Sequence, residues 1–300
     1  MGLHDLHQSE RRFGLALVLV CVTLVAEVGG GLWTGSLALL SDAAHVFLDI
    51  LALAMSYAAV RLSARPADGR HTYGFHRLQV LAALANGATL VLVSLGIFRE
   101  VWLRLRNPEP VLAGPMLVIA LVSLTVNVAV ALVLHTHDRD DLNTQSAFLH
   151  ALGDALSSIG VIVAGLIILF TGWLPADPMI SVIIGIIIVV GSVRVLRQSV
   201  HILAEGTPEG ITPAAVGQIL RQVPGVTNVH DLHIWTVSPG YVALSAHVVL
   251  GDQSLAQVGD VQRQLRRVLQ DRYGIEHTTI QVECDNCGQG AITCHDGACN

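Results

Sequence analysis

Long apolar stretches fill the first two thirds of the chain and are separated by short polar connections. A helix needs about 20 apolar residues to cross the hydrocarbon core of a bilayer. The stretches of roughly that length predict six membrane-spanning helices: Phe13–Trp33, Leu37–Leu62, Leu78–Phe98, Leu112–His135, Phe148–Phe170 and Pro178–Leu196.

The pattern changes after Glu205, where a glycine and a proline end the last long helix. Apolar residues at helical spacing predict a short helix that starts at Thr212-Pro213 and a longer one from about Leu255 to Tyr273. The order α-β-β-α-β indicates a small α+β domain, ferredoxin-like or metallochaperone-like, with an open sheet covered by helices. Its predicted strands are Val226–Val237, Tyr241–Leu250 and Thr278–Glu283.

Composition agrees with a membrane domain followed by a soluble one. The chain is 52% hydrophobic and only 13% charged, whereas soluble proteins are about a quarter charged. The net charge of −6 gives no reason to expect nucleic acid as a partner. We divide the chain into an N-terminal tail (1–12), a six-span membrane domain (13–204), an α+β domain (205–283) and a cysteine-rich tail (284–300).

Arginines near the ends of the six segments predict their orientation, because cytoplasmic connections carry more basic residues. With the N-terminus in the cytoplasm, nine of these arginines lie on the inner side, and three, Arg99, Arg104 and Arg106, on the outer side. This excess predicts that both termini are cytoplasmic.

Two copies of one polar pattern lie in the second and fifth segments. Ser41, His45 and Asp49 are each four residues apart, and Ser146, His150 and Asp154 repeat that spacing 105 residues later. Residues four apart share one face of a helix, so each copy forms a polar stripe. Ionisable groups inside an apolar segment indicate a functional site. Two histidines and two carboxylates supply four ligands that suit zinc.

The two stripes also indicate how the membrane domain is organised. With six spans, the second and fifth segments run antiparallel, as in an inverted repeat whose site lies at the interface of the two halves near the midplane. Two further carboxylates lie in the apolar segments, Glu27 in the first segment and Asp42 three residues before His45 in the second. Glu27 is either a carboxylate beside a small-residue packing face or part of a relay, and Asp42 is either an outer ligand or a residue at a helix start.

Secondary metal sites are possible at three places. The loop between the second and third segments contains Asp68, His71 and His76, and an ordinary polar loop is the alternative. The tail contains a CxxC pair with further cysteines and a histidine, which indicates zinc or a softer ion, or else redox-active thiols in a disordered tail. The candidates in the α+β domain and the tail are His230, Asp231, His233, His247, His277, Glu283, Asp285, Cys284, Cys287, Cys294, His295 and Cys299. Strand alternation places His230 and Asp231 on opposite faces, so we do not expect all of these residues to bind one metal.

The segments Gly35–His45, His71–Arg77 and Val229–Trp235, together with the paired HxxxD pattern, resemble the cation diffusion facilitators. The resemblance covers roughly residues 10 to 285 and is greatest for the zinc, cadmium and cobalt branch of bacterial members. It implies a proton-coupled antiporter in the bacterial inner or plasma membrane that expels divalent metal as a homodimer, with protons as counter-ion. It also implies that the α+β domain is cytoplasmic, regulatory and dimerising.

In that family the transport site is formed by the positions that match His45, Asp49, His150 and Asp154, and histidine at both first positions resembles zinc-type members. The α+β domain departs from relatives that bind two metals there. Residues around Gly259 and Glu283 stand where those relatives have histidine, so His230 and His247 match well and Asp285 only weakly.

Two other classes of function compete with transport. An intramembrane zinc enzyme would keep an open coordination position and a nearby base, but four ligands fill the shell and the chain has no HExxH motif. A metal sensor or buffer would use the soluble domain and the thiol tail, and would not need the paired stripes. Transport of zinc, with cadmium, cobalt and iron as alternatives, is therefore the favoured interpretation.

Overall fold

The computed structural model describes residues 3–135, 142–251 and 253–284, with side chains described for 18–132, 152–251 and 253–284. The chain divides into two compact units. One contains residues 1–55 and 85–194, and the other contains residues 56–84 and 195–300.

Each predicted membrane segment lies on one long helix. Five of the helices are long and apolar enough to cross a membrane within the described residues, and Val18–Thr34 forms a shorter apolar stretch of the first. The third helix continues beyond the predicted Phe98 because no helix breaker precedes Pro108. The helices are α1 (Leu3–Thr34), α2 (Leu37–Ser63), α3 (Arg77–Arg106), α4 (Ala113–His135), α5 (Leu142–Thr171) and α6 (Ala176–Leu203).

The first unit packs its helices around an apolar core. Helix α4 contacts both α1 and α5, and the fully buried side chains of Leu39, Met116 and Val161 belong to one cluster that joins α2, α4 and α5. Helix α2 is fixed at its start by Asp177 of α6. The Asp177 carboxylate accepts the Leu37 N–H at 2.6 Å, the Ser36 hydroxyl at 2.6 Å and the Ala38 N–H at 3.2 Å. Two of the otherwise unsatisfied N–H groups of the α2 start are thereby paired.

The second unit contains the predicted α-β-β-α-β domain, and the predicted fold class is confirmed. Strand β2 lies between the other two strands, antiparallel to β1 and parallel to β3. The helices cover a core that includes the fully buried Leu220, Leu244 and Leu265. The elements are α7 (Pro213–Arg221), β1 (Asn228–Ser238), β2 (Tyr241–Val249), α8 (Leu255–Tyr273) and β3 (His277–Glu283).

Helix α8 has the predicted bounds because its sequence contains a start and a stop signal. Ser254 and Gln257 form a capping box at the start, in which each side chain pairs with the backbone of the other residue. Gly274 ends the helix with φ 65°, a left-handed conformation that glycine adopts without steric penalty.

Candidate metal centre

The first candidate site lies between α2 and α5. Helical spacing places His45 and Asp49 one turn apart on α2, with His45 Nδ1 3.4 Å from Asp49 Oδ2. Helix α5 adds Asp154, whose Oδ1 lies 3.9 Å from His45 Nε2. One ligand atom from each of the three residues lies within 4.8 Å of the other two. Residues far apart in sequence therefore converge on one point.

This spacing suits a small divalent ion. Four ligands about 2.1 Å from a tetrahedral zinc ion are about 3.4 Å from one another. The 3.4 Å separation of His45 from Asp49 equals that value, and the 3.9 Å separation of His45 from Asp154 exceeds it slightly. The His45 and Asp49 side chains each keep 24% of their surface exposed, whereas Asp154 keeps 7%. The spacing of the three donors therefore fits a zinc ion. The exposed surface of His45 and Asp49 leaves the site open to an entering ion.

His150, the fourth predicted ligand, belongs to α5 and precedes Asp154 by one helical turn. Its side chain lies outside the described residues, so the three-residue cluster is the part of the predicted site that the structure brings together.

The second candidate site lies in the α+β domain, where β1, β2 and β3 place His230, His247 and Glu283 side by side. Glu283 Oε2 is 3.2 Å from His230 Nε2, and Glu283 Oε1 is 2.9 Å from His247 Nδ1. The two imidazole rings meet edge to face with their centroids 5.3 Å apart. His230 is fully buried and Glu283 nearly so. Two imidazoles and a carboxylate are a donor set that zinc accepts.

A bulge in β1 connects this cluster to further donors. The pairing register shifts between His230 and His233, and Asp231 adopts the left-handed φ of 49°. The carboxylate of Asp231 then lies 2.9 Å from His233 Nε2 and 3.6 Å from His247 Nε2. Strand alternation had predicted opposite faces for His230 and Asp231, but the bulge lets His247 contact the carboxylates of both Asp231 and Glu283.

The three candidate ligands in the loop between α2 and α3 do not share one site. The carboxylate of Asp68 accepts the N–H groups of Arg70 at 2.8 Å and His71 at 2.7 Å, and lies 2.9 Å from His71 Nδ1. The Arg70 N–H is the main cause that holds the pKa of Asp68 below its usual value. His76 instead packs edge to face on Tyr241, with ring centroids 5.0 Å apart. Among the described residues, the metal-competent clusters of at least three donors are those at His45 and His230, so the loop triad is not brought together.

The tail residues fall mostly outside the described chain. Cys284 is a free, exposed cysteine at the last described position. Asp285, Cys287, Cys294, His295 and Cys299 lie beyond it, outside the described residues.

Comparison with known proteins identifies the family to which the chain belongs. Residues 14–204 match the family model described as the cation efflux transmembrane domain. Residues 208–285 match the cation efflux protein cytoplasmic domain, a dimer domain. Together these two matches cover most of the chain.

Full-length relatives show the same relationship. The metal cation efflux system protein CzcD of Cupriavidus metallidurans is 38% identical over 97% of this chain and 92% of its own length. A cadmium, cobalt and zinc/H(+)-K(+) antiporter of Bacillus subtilis is 37% identical over 94% of this chain and 91% of its own length. The zinc transporter ZitB of Escherichia coli is 39% identical over 93% of this chain and 89% of its own length.

These relatives are transporters and not enzymes, which removes the intramembrane zinc enzyme from consideration. The predicted resemblance to the cation diffusion facilitators is thus confirmed over nearly the whole chain. The protein belongs to the cation efflux family, among its zinc, cadmium and cobalt transporters.

Proposed function

We propose that this protein is a proton-coupled antiporter that exports Zn²⁺ from the bacterial cytoplasm, with Cd²⁺ and Co²⁺ as further substrates. The observation that carries the proposal is the convergence of His45, Asp49 and Asp154 from two helices within the apolar unit. His150, placed by sequence one turn before Asp154, completes the four ligands. The names of the relatives, which include zinc, cadmium and cobalt transport, support the choice of metals.

Exchange with protons follows from the chemistry of the ligands. Imidazole and carboxylate bind a metal only when they are deprotonated, so metal entry displaces protons and protonation releases the metal. Alternating access around the site would expose it in turn to the cytoplasm and to the outside. A proton gradient directed into the cell then drives the metal out.

The surroundings of the helices support a bilayer location. Large apolar side chains such as Leu92, Phe170 and Ile187 are more than half exposed on the helices of the first unit, an arrangement that lipid tolerates and water does not. We place both termini in the cytoplasm because of the arginine excess on that side. The dimer domain among the family matches supports a homodimer.

Purified protein in proteoliposomes tests the proposal. An imposed pH gradient, with a zinc-sensitive dye inside, should give zinc flux in the wild type and none in Asp49→Ala or Asp154→Ala. Asp68→Ala is the matched control, since its carboxylate pairs only within an exposed loop among the described residues, and it should transport normally. Normal flux in Asp49→Ala would refute the site.

A second role is favoured by the cluster of His230, His247 and Glu283. We propose that this cluster binds regulatory Zn²⁺ in the cytoplasmic domain, because it joins three strands through two imidazoles and one carboxylate. A protein that acts only as a metal sensor or buffer would lose its function when this cluster is removed. It would keep that function when Asp49 is replaced. Flux and zinc binding in variants of each site therefore separate the two roles.

A further inference from the structure

Glu27 is a buried carboxyl group that neither metal cluster uses. Its residue is 0% exposed on α1, and its Oε2 atom has no hydrogen-bond partner among the described residues. Asp42 on α2 is 1% exposed, and the hydroxyl of Ser157 lies beside its carboxyl group. No described cation pairs with either group. An ionised carboxylate without a cationic partner is destabilised in such a place, because burial removes its hydration.

Two serine hydroxyls connect these carboxyl groups. Ser123 of α4 hydrogen-bonds to Glu27 Oε1, and its oxygen lies 3.2 Å from the hydroxyl oxygen of Ser158 on α5. The Ser158 hydroxyl lies 3.5 Å from Asp42 Oδ2. Four helices therefore contribute one residue each to a continuous chain from Glu27 to Asp42.

Counting hydrogens shows what this chain requires. It has three oxygen-to-oxygen links, but the two hydroxyls supply only two hydrogens. The amide of Asn127 donates to Ser158 at 3.4 Å, so it takes up an acceptor site and adds no hydrogen to the links. If both carboxyls were ionised, one link would join two oxygens without a hydrogen. One additional proton, on either carboxyl, completes all three links.

We propose that Glu27 and Asp42 share one proton through Ser123 and Ser158, and that this proton leaves when metal binds at His45, Asp49 and Asp154. The proton has two alternative positions, one on each carboxyl group. When Glu27 gives its proton to Ser123, the Ser123 hydrogen moves to Ser158 and the Ser158 hydrogen moves to Asp42. Each link keeps one hydrogen, and the charge passes from one carboxyl to the other.

The metal centre is coupled to this pair by charge. Asp154, a ligand of the proposed transport site, lies one helical turn before Ser158 on α5, and Asp42 lies three residues before the ligand His45 on α2. The negative charge of Asp154 favours the proton on the pair while the metal site is empty. A divalent ion at the site cancels that charge, so the pair releases its proton as metal enters and takes one up as metal leaves. Metal and proton therefore occupy the protein in alternation, as antiport requires. This coupling of proton release to metal binding rests on the proposed transport function.

Infrared spectroscopy of the full-length protein without metal tests the shared proton directly. The wild type should show the absorption of a protonated carboxyl group at neutral pH. Both Glu27→Gln and Asp42→Asn should abolish it, because either amide supplies the missing hydrogen and leaves the other carboxyl ionised. An absorption that persists in both variants, or that is absent from the wild type, overturns the proposal whether or not the protein transports zinc.

The number of protons released per bound zinc ion tests the coupling. We expect Glu27→Gln and Asp42→Asn each to release about one proton fewer than the wild type, and the double variant to lose no more than either single variant. Unchanged release, or additive losses, would mean that no proton is shared. Ser94→Ala is the matched control, since its buried hydroxyl bonds only to Leu90 O of its own helix. Failure of the transport site itself would appear separately, as pH-driven zinc flux that survives in Asp49→Ala.

Discussion

The ligands of the proposed transport site differ in the metals that they prefer. His45 offers an imidazole nitrogen, whereas Asp49 and Asp154 offer carboxylate oxygens. Imidazole suits zinc, and oxygen ligands suit harder ions such as Mn²⁺. The balance between nitrogen and oxygen at this site should therefore set its selectivity, and His45 is the one described nitrogen ligand there.

Replacing that nitrogen should change the preferred metal. We predict that His45→Asp lowers zinc flux at least about tenfold and raises the flux of Mn²⁺ relative to Zn²⁺. Proteoliposomes loaded with dyes for each metal would measure both fluxes. His71→Asp is the control, because His71 lies in the loop beside Asp68 and not at the site. An unchanged ratio of the two fluxes in His45→Asp would show that His45 does not contact the metal.

A single carboxylate should control the cytoplasmic metal site, because Glu283 is within 3.2 Å of both His230 and His247. We predict that Glu283→Gln weakens zinc binding there at least tenfold, or about 1.4 kcal/mol. Calorimetric titration of the full chain in an Asp49→Ala background isolates this site. Glu276→Gln, which alters an exposed carboxylate of the same domain, should bind like its parent. Equal affinities of the two variants would count against Glu283 as a ligand.

Sequence spacing predicted some of these contacts and could not predict others. The four-residue spacing of His45 and Asp49 requires only one helix, so the sequence carries it directly. The position of Asp231 depends on a bulge with a left-handed residue, which strand alternation does not anticipate. The chain from Glu27 to Asp42 joins four helices, and only their packing brings Ser123 and Ser158 between the two carboxyls.

At the scale of elements, the joint between α2 and α6 positions the first metal cluster. Helix α2 begins only eight residues before His45, and Asp177 of α6 accepts the backbone N–H groups of Leu37 and Ala38. Asp177 is fully buried. Its loss would leave buried N–H groups without an acceptor, at a cost of about 1–3 kcal/mol for a group of this kind.

We therefore predict that Asp177→Ala lowers the free energy of unfolding of the membrane unit by about 1–3 kcal/mol. Denaturation in detergent, followed by tryptophan fluorescence, would measure the loss. Glu109→Ala should change it by less than about 0.5 kcal/mol, because its side chain is 61% exposed. Stability equal to the wild type in Asp177→Ala would mean that water or another acceptor replaces the carboxylate.

Element boundaries were predictable where the sequence carries local signals. Ser254 and Gly274 bound α8 at the predicted residues, and Thr212 caps α7 as predicted. The ends of the long helices were harder to predict, because hydropathy shows where the apolar stretch ends and not where the helix ends. Helix α3 continues through Arg99 and Arg104 to Arg106. Arginine side chains can extend their charged ends into water, so a helix that contains them can continue past the hydrocarbon core.

At the scale of the whole molecule, the proposed transport site and the proposed cytoplasmic metal site lie in separate family domains. Residues 14–204 match the transmembrane domain and 208–285 the cytoplasmic domain. The cysteines at 287, 294 and 299 lie beyond both matches. If the transport site acts as proposed, these thiols are not required for metal to cross the membrane.

Truncation after Glu283 should therefore leave zinc flux within about twofold of the wild type, because it keeps every residue of both metal clusters. The measurement is pH-driven zinc uptake into proteoliposomes at equal protein content. A chain that ends at Ala204 is the comparison, since it lacks the dimer domain, and we expect it to lose the homodimer on size-exclusion chromatography with light scattering. If truncation after Glu283 abolished flux while the dimer remained, the thiols would have to deliver or hold the metal. The sensor or buffer interpretation, in which the tail binds the ion, would then regain support over a carrier built on α2 and α5.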